Sequence, residues 1–230
     1  MKQLVTRGIV LTRTNYGEAD RIVTFLTPDQ GKLRLMARGV RKPKSRLAGG
    51  IELFSISDIT YIKGRGEIGT LISARLESHY GTIVQDIDRT MLGYELIKRI
   101  HRATEDAPET EYFDILQHIF VALDAPEVSK ELIRTWCSAQ LLHQSGHAPN
   151  LRTNTAGNKL EADKTYTFSF DDVAFAQSDS GRFTSEHIKV LRLLLSANPP
   201  KVLHQVQGIE KVLPDVSPLI QTMLNSYITV

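Results

Sequence analysis

Between Lys32 and Arg46 the chain places seven cations in fifteen positions, with no acid among them: Lys32, Arg34, Arg38, Arg41, Lys42, Lys44 and Arg46. Their spacing says what chemistry they could do. Lys32, Arg34, Met36 and Arg38 alternate with Leu33, Leu35 and Ala37. Successive strand residues face opposite sides, so a strand here carries one basic and one apolar face. The stretch from Gly39 to Gly50 that follows contains Gly, Pro and Ser and stays basic. A basic strand running into a basic loop is an electrostatic track for a polyanion, although a dense charge run is also what an ordinary solvated face looks like. Arg13 and Arg21 stand close by in sequence as supporting cations, and Tyr16 offers a ring for stacking on a base or for packing in a core.

Other patterns that could carry chemistry are weaker. Gly64-Arg65-Gly66-Glu67-Ile68-Gly69 fits a dinucleotide-binding fingerprint. That fingerprint needs a strand before it and a helix after it, and the residues that follow read as strand, so a hairpin turn is expected. No phosphate-cradling G-x-x-x-x-G-K-[ST] string occurs. His143 and His147 are four apart, a spacing for two metal ligands on one helix face, but Gly146 between them and Pro149 after them end the helix. No metal or other cofactor is therefore expected. Cys137 beside Trp136 reads as a core thiol. No nucleophile elbow, acid–base pair or carboxylate cluster for Mg²⁺ stands out, and the pairs Glu105-Asp106 and Asp171-Asp172 fall in loops, so no catalytic residue is assigned.

These residues need elements to hold them. Residues 1–80 read as five short strands, near 5–13, 20–27, 32–38, 51–62 and 67–78. Turn residues at Thr27-Pro28-Asp29-Gln30-Gly31 and Lys63-Gly64-Arg65-Gly66 punctuate them. Five strands with almost no intervening helix suggest a small barrel, and the five-stranded OB-fold is the first candidate. From Ile83 the apolar period changes to three and four. Helices are expected from there to about Ile100, over 112–123 after Pro108, and from Pro126 to about Gly146. Residues 150–183 begin as a polar loop and continue as a hairpin over 164–170 and 173–177. Helix returns at 184–196, stops at Pro199-Pro200, and recurs at about 217–228. The fold class is α+β: an OB-fold barrel at 1–80, then a mainly helical domain at 81–230 with a small β-hairpin insertion at 150–183.

Charge follows the same division. Residues 1–80 hold 14 Lys and Arg against 7 Asp and Glu, a net +7; residues 81–230 hold 14 against 19, a net −5. A basic β domain on an acidic helical one points the first towards nucleic acid. The single Cys excludes an internal disulfide and suits a reducing cytosol. No apolar run approaches the ~20 residues of a membrane span, and no signal-peptide core follows Met1.

The strings Gly8-Ile9-Val10-Leu11, Tyr16-Gly17-Glu18-Ala19-Asp20-Arg21-Ile22-Val23, Phe25-Leu26-Thr27-Pro28-Asp29-Gln30-Gly31-Lys32 and Ala37-Arg38-Gly39-Val40-Arg41-Lys42-Pro43-Lys44-Ser45-Arg46 resemble the start of the RecO family of recombination mediators. Gly146-His147-Ala148-Pro149-Asn150-Leu151 resembles the family's segment before its zinc-binding insertion. The resemblance implies a bacterial, cytoplasmic, nucleoid-associated DNA repair protein that is not an enzyme. Such a protein binds single- and double-stranded DNA, anneals complementary strands and, with RecR, helps load recombinase onto DNA coated by single-strand-binding protein. It also implies contact with that protein's acidic C-terminal tail, for which Lys98, Arg99 and Arg102 at a helix end offer a basic rim, or simply complement the helix dipole. The family's insertion often holds zinc through four cysteines; here those positions fall near Asn154 and Gly157 and near Ala176 to Asp179, and none is Cys. Two rival readings are an interaction module whose basic patch binds an acidic protein, and a nuclease- or ligase-like enzyme carrying an OB-fold.

Overall fold

The computed structural model describes residues 2–64, 66–104 and 110–227 of the 230. Arg65 of the expected hairpin loop, Glu105-Asp106, Pro108 and the end of the last expected helix lie outside the described residues.

Five strands form the N-terminal part: β1 (Gln3–Tyr16), β2 (Asp20–Thr27), β3 (Gly31–Ala37), β4 (Ser55–Ile62) and β5 (Ile68–His79). They close in the order β1-β2-β3-β5-β4, with β3 and β5 parallel through Arg34–Met36 and Ile68–Thr70 and the other pairs antiparallel. This is the OB-fold barrel that the turn spacing predicts. Strand β1 serves two neighbours, pairing β4 through its first half and β2 through its second, with a register shift between Val10 and Thr12 that bends it. The inward residues Val10, Val23, Phe25, Leu35, Ala37, Ile59, Tyr61 and Leu71 make the core, and Val40 and Ile51 plug it from the β3–β4 connection. At roughly 25 cal/mol per Å² of apolar area removed from water, this packing rather than propensity holds the register.

The fourth strand starts four residues later than the apolar run suggests. Phe54 takes a positive φ of 56°, which interrupts extended backbone. Its ring is turned instead onto Phe120 and Tyr94, at centroid distances of 5.5 and 5.4 Å. Helix α1 (Ile87–Ala103) and helix α2 (Glu111–Leu123) pack there. A Cβ on Gly93 of α1 would lie 2.5 Å from the Phe54 ring, so only glycine allows this approach. By compactness the first unit runs through Asp124, taking in α1 and α2, and the second covers Ala125–Val230.

The second unit opens with α3 (Lys130–Gln144), which begins four residues after Pro126 because Ser129 caps it, accepting from the Leu132 N–H. It ends as expected at Gly146, where φ is +75° and the Gly146 and His147 N–H groups donate to the carbonyls of His143 and Leu142. Residues 150–154 form a strand, β6 (Asn150–Asn154), where a loop is expected. It joins the hairpin of β7 (Tyr166–Ser169) and β8 (Ala174–Gln177) in a sheet ordered β6-β8-β7. Helix α4 (Ser185–Leu194) follows, and Pro200 opens a short turn, α5 (Pro200–Leu203), rather than only stopping its predecessor. The last helix, α6 (Ile209–Tyr227), starts eight residues before the expected 217 and contains Pro214 and Pro218. Both prolines face solvent, and the buried stripe Val212, Leu213, Val216, Leu219, Ile220, Met223 outweighs their cost. Cys137 is buried in α3. Among the described residues no helix is long and apolar enough to cross a membrane.

Candidate nucleic-acid interface

The outward face of β1, β2 and β3 carries a groove of about 650 Å³, lined by Thr12, Thr14, Ile22, Thr24, Lys32 and Arg34 together with Glu67 and His101. Register explains the set: Thr12 pairs with Thr24 and Thr24 with Arg34, while Thr14 pairs with Ile22. A smaller cavity of about 180 Å³ adjoins it where Lys32 and Arg34 meet Lys63, Gly64 and Tyr61 at the β4–β5 connection. Burial, helped by the Asp29 carboxylate, raises the Tyr61 phenol above its ordinary value, so it stays neutral there. The face of strands 2 and 3 is where OB-folds take oligonucleotides. The threonines were missed in the sequence; their signal was the period-two spacing of Thr12 and Thr14, which reads as any solvated strand edge.

The structure divides the predicted cations into two groups. Arg13 donates at 2.8 Å to the Glu52 carboxylate and also to the Ile51 carbonyl. Arg21 donates to Asn15. Lys32 donates at 3.1 Å to the His101 carbonyl, placing a cation at the C-terminal end of α1 where the helix dipole favours one. Arg41 is tied to the β1–β2 turn, its N–H to the Ala19 carbonyl and its guanidinium to the Gly17 carbonyl. These four serve the fold. Arg34 is intermediate: it meets Glu67 at 3.3 Å, but the two side chains are 50% and 87% exposed, and so exposed a pair is weak and yields readily to a phosphate.

Arg38, Lys42, Lys44 and Arg46 are exposed, and no side-chain partner meets them among the described residues. Their loop is nonetheless held in place. Gly39, at φ +64°, donates its N–H to Asp20 at 2.7 Å. Val40 is buried, and Leu47 packs against the barrel core. A pinned backbone thus presents these four cations in the loop that follows β3. Tyr16, at the β1–β2 turn, is 56% exposed, so it is a surface ring rather than a core one. The Gly64–Gly69 string connects two antiparallel strands with no helix after it, as a hairpin.

The comparisons with known proteins bear on this barrel directly. The family model described as Recombination protein O N terminal matches residues 1–80. The DNA repair protein RecO of Dehalococcoides mccartyi is 30% identical over 213 residues, covering 92% of this chain and 80% of that protein. That of Exiguobacterium sp. is 30% identical, covering 89% and 78%. The chain belongs to the RecO family. With the RecO proteins of Syntrophus aciditrophicus and Desulfatibacillum aliphaticivorans the match spans 57% and 60% of the relative's length, so the chain covers somewhat over half of each.

Family membership raises the question of a zinc site in residues 150–183, and this RecO chain does not fit one. Asn154, at a position that resembles a zinc ligand's, is buried, and its Oδ1 already accepts from the N–H groups of Ala156 and Asn158 at 3.0 and 2.9 Å. Gly157 turns the chain at φ +82°. At the second position the backbone of Ser178 is paired with Thr165 on both sides. Among the described residues no three His, Cys, Asp or Glu are grouped to hold a metal. His147 is stacked on Tyr227 at 5.1 Å, beyond the end of the helix that carries His143.

The basic rim lies on the last turns of α1. Lys98 and Arg102 are exposed, whereas Arg99 is half-buried and pairs with Glu95 at 2.9 Å.

Proposed function

We propose that this RecO-family chain is a DNA repair and recombination mediator, bacterial and cytoplasmic, that works on the nucleoid. It binds single- and double-stranded DNA through the β1–β2–β3 groove and the loop at 38–46, and anneals complementary strands. With RecR it helps load recombinase onto DNA coated by single-strand-binding protein, whose acidic tail it also binds. The observation that carries the reading is the group of four exposed cations, Arg38, Lys42, Lys44 and Arg46, without side-chain partners among the described residues, on a pinned loop that follows the groove strand β3. Exposed charges of one sign grouped on fixed backbone attract a polyanion, and a phosphate backbone offers counter-charge at regular intervals.

The work is non-covalent. Annealing brings two polyanions together, and cations at the loop lower their repulsion. The groove lining holds three threonine hydroxyls, two cations and the Glu67 carboxylate, and its one aromatic ring among the described residues is the imidazole of His101. Stacking platforms hold bases on aromatic faces; a lining of this kind grips sugar and phosphate and leaves base edges free to pair. No catalytic residue is needed.

The test is single-stranded DNA binding across salt, for the wild type and for a variant with Arg38, Lys42, Lys44 and Arg46 all replaced by Ala. Each neutralised phosphate on a single strand contributes ~0.7 to the slope of log affinity against log salt, so the variant should be shallower by about 2.8. An unchanged slope would place the DNA elsewhere and favour an acidic protein as the partner of this loop.

A further inference from the structure

The groove that presents Lys32 and Arg34 also presents a carboxylate, which a phosphate backbone repels. Glu67 lines it together with those cations, and it lines the adjoining smaller cavity beside Lys63 as well. Register sets its place. Strand β5 pairs with β3 through Ile68 and Arg34, so Glu67, one residue before Ile68, meets the Arg34 guanidinium at 3.3 Å. The backbone on either side is tightly seated. A Cβ on Gly64 would lie 2.3 Å from the Ile68 carbonyl oxygen, and one on Gly69 would lie 2.7 Å from that of Ile62. Lys63, on the same connection, donates to the Gln30 side chain at 3.0 Å.

The pair does little for the fold. Other acids of the barrel are better covered: the Glu77 side chain, which takes Arg7, is 37% exposed and that of Glu52, which takes Arg13, is 52% exposed, against 87% for Glu67. So exposed a pair adds little to stability. Its effect is local: it occupies the groove's arginine with an anion that belongs to the chain itself. Arg38, Lys42, Lys44 and Arg46 in the loop after β3 meet no such side-chain anion among the described residues.

We propose that Glu67 is a release residue of the groove: its carboxylate competes with a DNA phosphate for Arg34, which weakens the hold on the strand and speeds its departure. Binding parts Arg34 from Glu67 and leaves a carboxylate close to a phosphate, and both changes raise the free energy of the bound state relative to the free one. When a phosphate moves off, the carboxylate retakes the guanidinium. The loop cations grip, and the groove cation is held on loan. A protein that anneals strands has to give up the duplex it makes, and a built-in competitor on a gripping residue serves that step. The inference rests on the reading of the groove as a path for DNA and adds to it the residue that limits the hold.

The test sets Glu67→Gln, which keeps the size of the side chain and removes its charge, against wild type. A labelled single-stranded oligonucleotide is titrated at equilibrium and its dissociation is followed by stopped flow. Affinity should rise about three-fold, the scale of an exposed pair, and the dissociation rate should fall by a similar factor. The gain should shrink as salt rises, because the competition that the substitution removes is screened. With Arg34→Gln already present, Glu67→Gln should keep less than half of its effect. Glu210→Gln, at an exposed acid of the second unit, should bind like wild type, which separates the competition from a change in net charge. The melting temperature of Glu67→Gln should match that of wild type. The proposal is overturned if Glu67→Gln binds no more tightly than wild type, if its gain lies in the association rate alone, if the gain persists in full over Arg34→Gln, if Glu210→Gln reproduces it, or if Glu67→Gln lowers the melting temperature. Each of those failures leaves the groove as a DNA path provided that Arg34→Gln weakens binding; if Arg34→Gln binds DNA like wild type, the reading of the groove itself falls.

Discussion

The β3–β4 loop at 38–46 and the segment at 150–183 are both polar, loop-rich excursions from a packed unit, and they settle their polar groups in opposite ways. In the loop, backbone bonds to Ala19 and Asp20 fix the path, and the side chains of Arg38, Lys42, Lys44 and Arg46 are left in water with no side-chain partner among the described residues. In the segment the polar groups turn inward. Asn150 accepts from the Arg152 and Thr153 N–H groups, Asn154 from Ala156 and Asn158, and the Tyr166 hydroxyl from the Glu161 N–H. Tyr166, Phe168, Phe175 and Phe183 close it with edge-to-face contacts. The difference separates a region built to meet something from one built to hold itself. Charge that cannot be satisfied locally is available to a ligand, and an amide that satisfies two donors takes over the bracing that a crosslink could otherwise give.

Three measurements press on that comparison. The largest effect should come from Asn154→Ala, which removes the buried acceptor of two N–H groups in an otherwise exposed turn and, at about 0.5–1.5 kcal/mol per bond, should cost about 1–3 kcal/mol in urea unfolding with the DNA salt slope unmoved. A change in slope would make the segment a DNA contact and dissolve the contrast. Within the basic region, Arg13→Ala should cost about 1 kcal/mol, since it loses both the Glu52 contact and the bond to the Ile51 carbonyl, although the Glu52 end of the pair is exposed. Lys42→Ala/Lys44→Ala should stay within ~0.5 kcal/mol of wild type and yet make the DNA salt slope shallower by about 1.4. Equal stability losses in the two variants would mean that anchored and free cations are not distinct groups. The smallest effect concerns α2. Burial lowers the His118 imidazole below its ordinary value of 6.5, against the opposing pull of Asp114. The unfolded chain then binds the proton more readily, so stability is fully present above about pH 6.5 and declines as pH falls below it. Urea midpoints at pH 7.5 and 5.5 should differ in the wild type and converge in His118→Gln; an equal difference in both would assign the decline to other groups.

Much of the architecture is legible along the chain because its determinants are local. The switch from period two to period three-to-four near residue 83, the Pro28–Gly31 turn and the Gly146 stop are each set by neighbouring residues. Where local rules mislead, burial is what overrides them. The last helix is expected only from about 217, but the apolar stripe of α6 begins at Ile209 and continues through Pro214. Residues 150–154 read as loop, but they gain ladder bonds from β8. Phe54 reads as strand, but its ring is needed between the barrel and two helices.

The sequence by itself determined that a basic strand runs into a basic loop, that it belongs to a small barrel, and that the patch has no acid within it. It could not determine which of those cations are available. The acceptors that occupy Arg13, Lys32 and Arg34 are Glu52, the His101 carbonyl and Glu67, lying 39, 69 and 33 residues away along the chain. Nor could it show that Thr12, Thr14 and Thr24 share a groove with Lys32 and Arg34, or that Ile87, Met91 and Tyr94 remain outside the core. Those facts belong to the tertiary structure, because an ion pair, a groove and an uncovered face are each made by segments distant in sequence that only folding brings to one place.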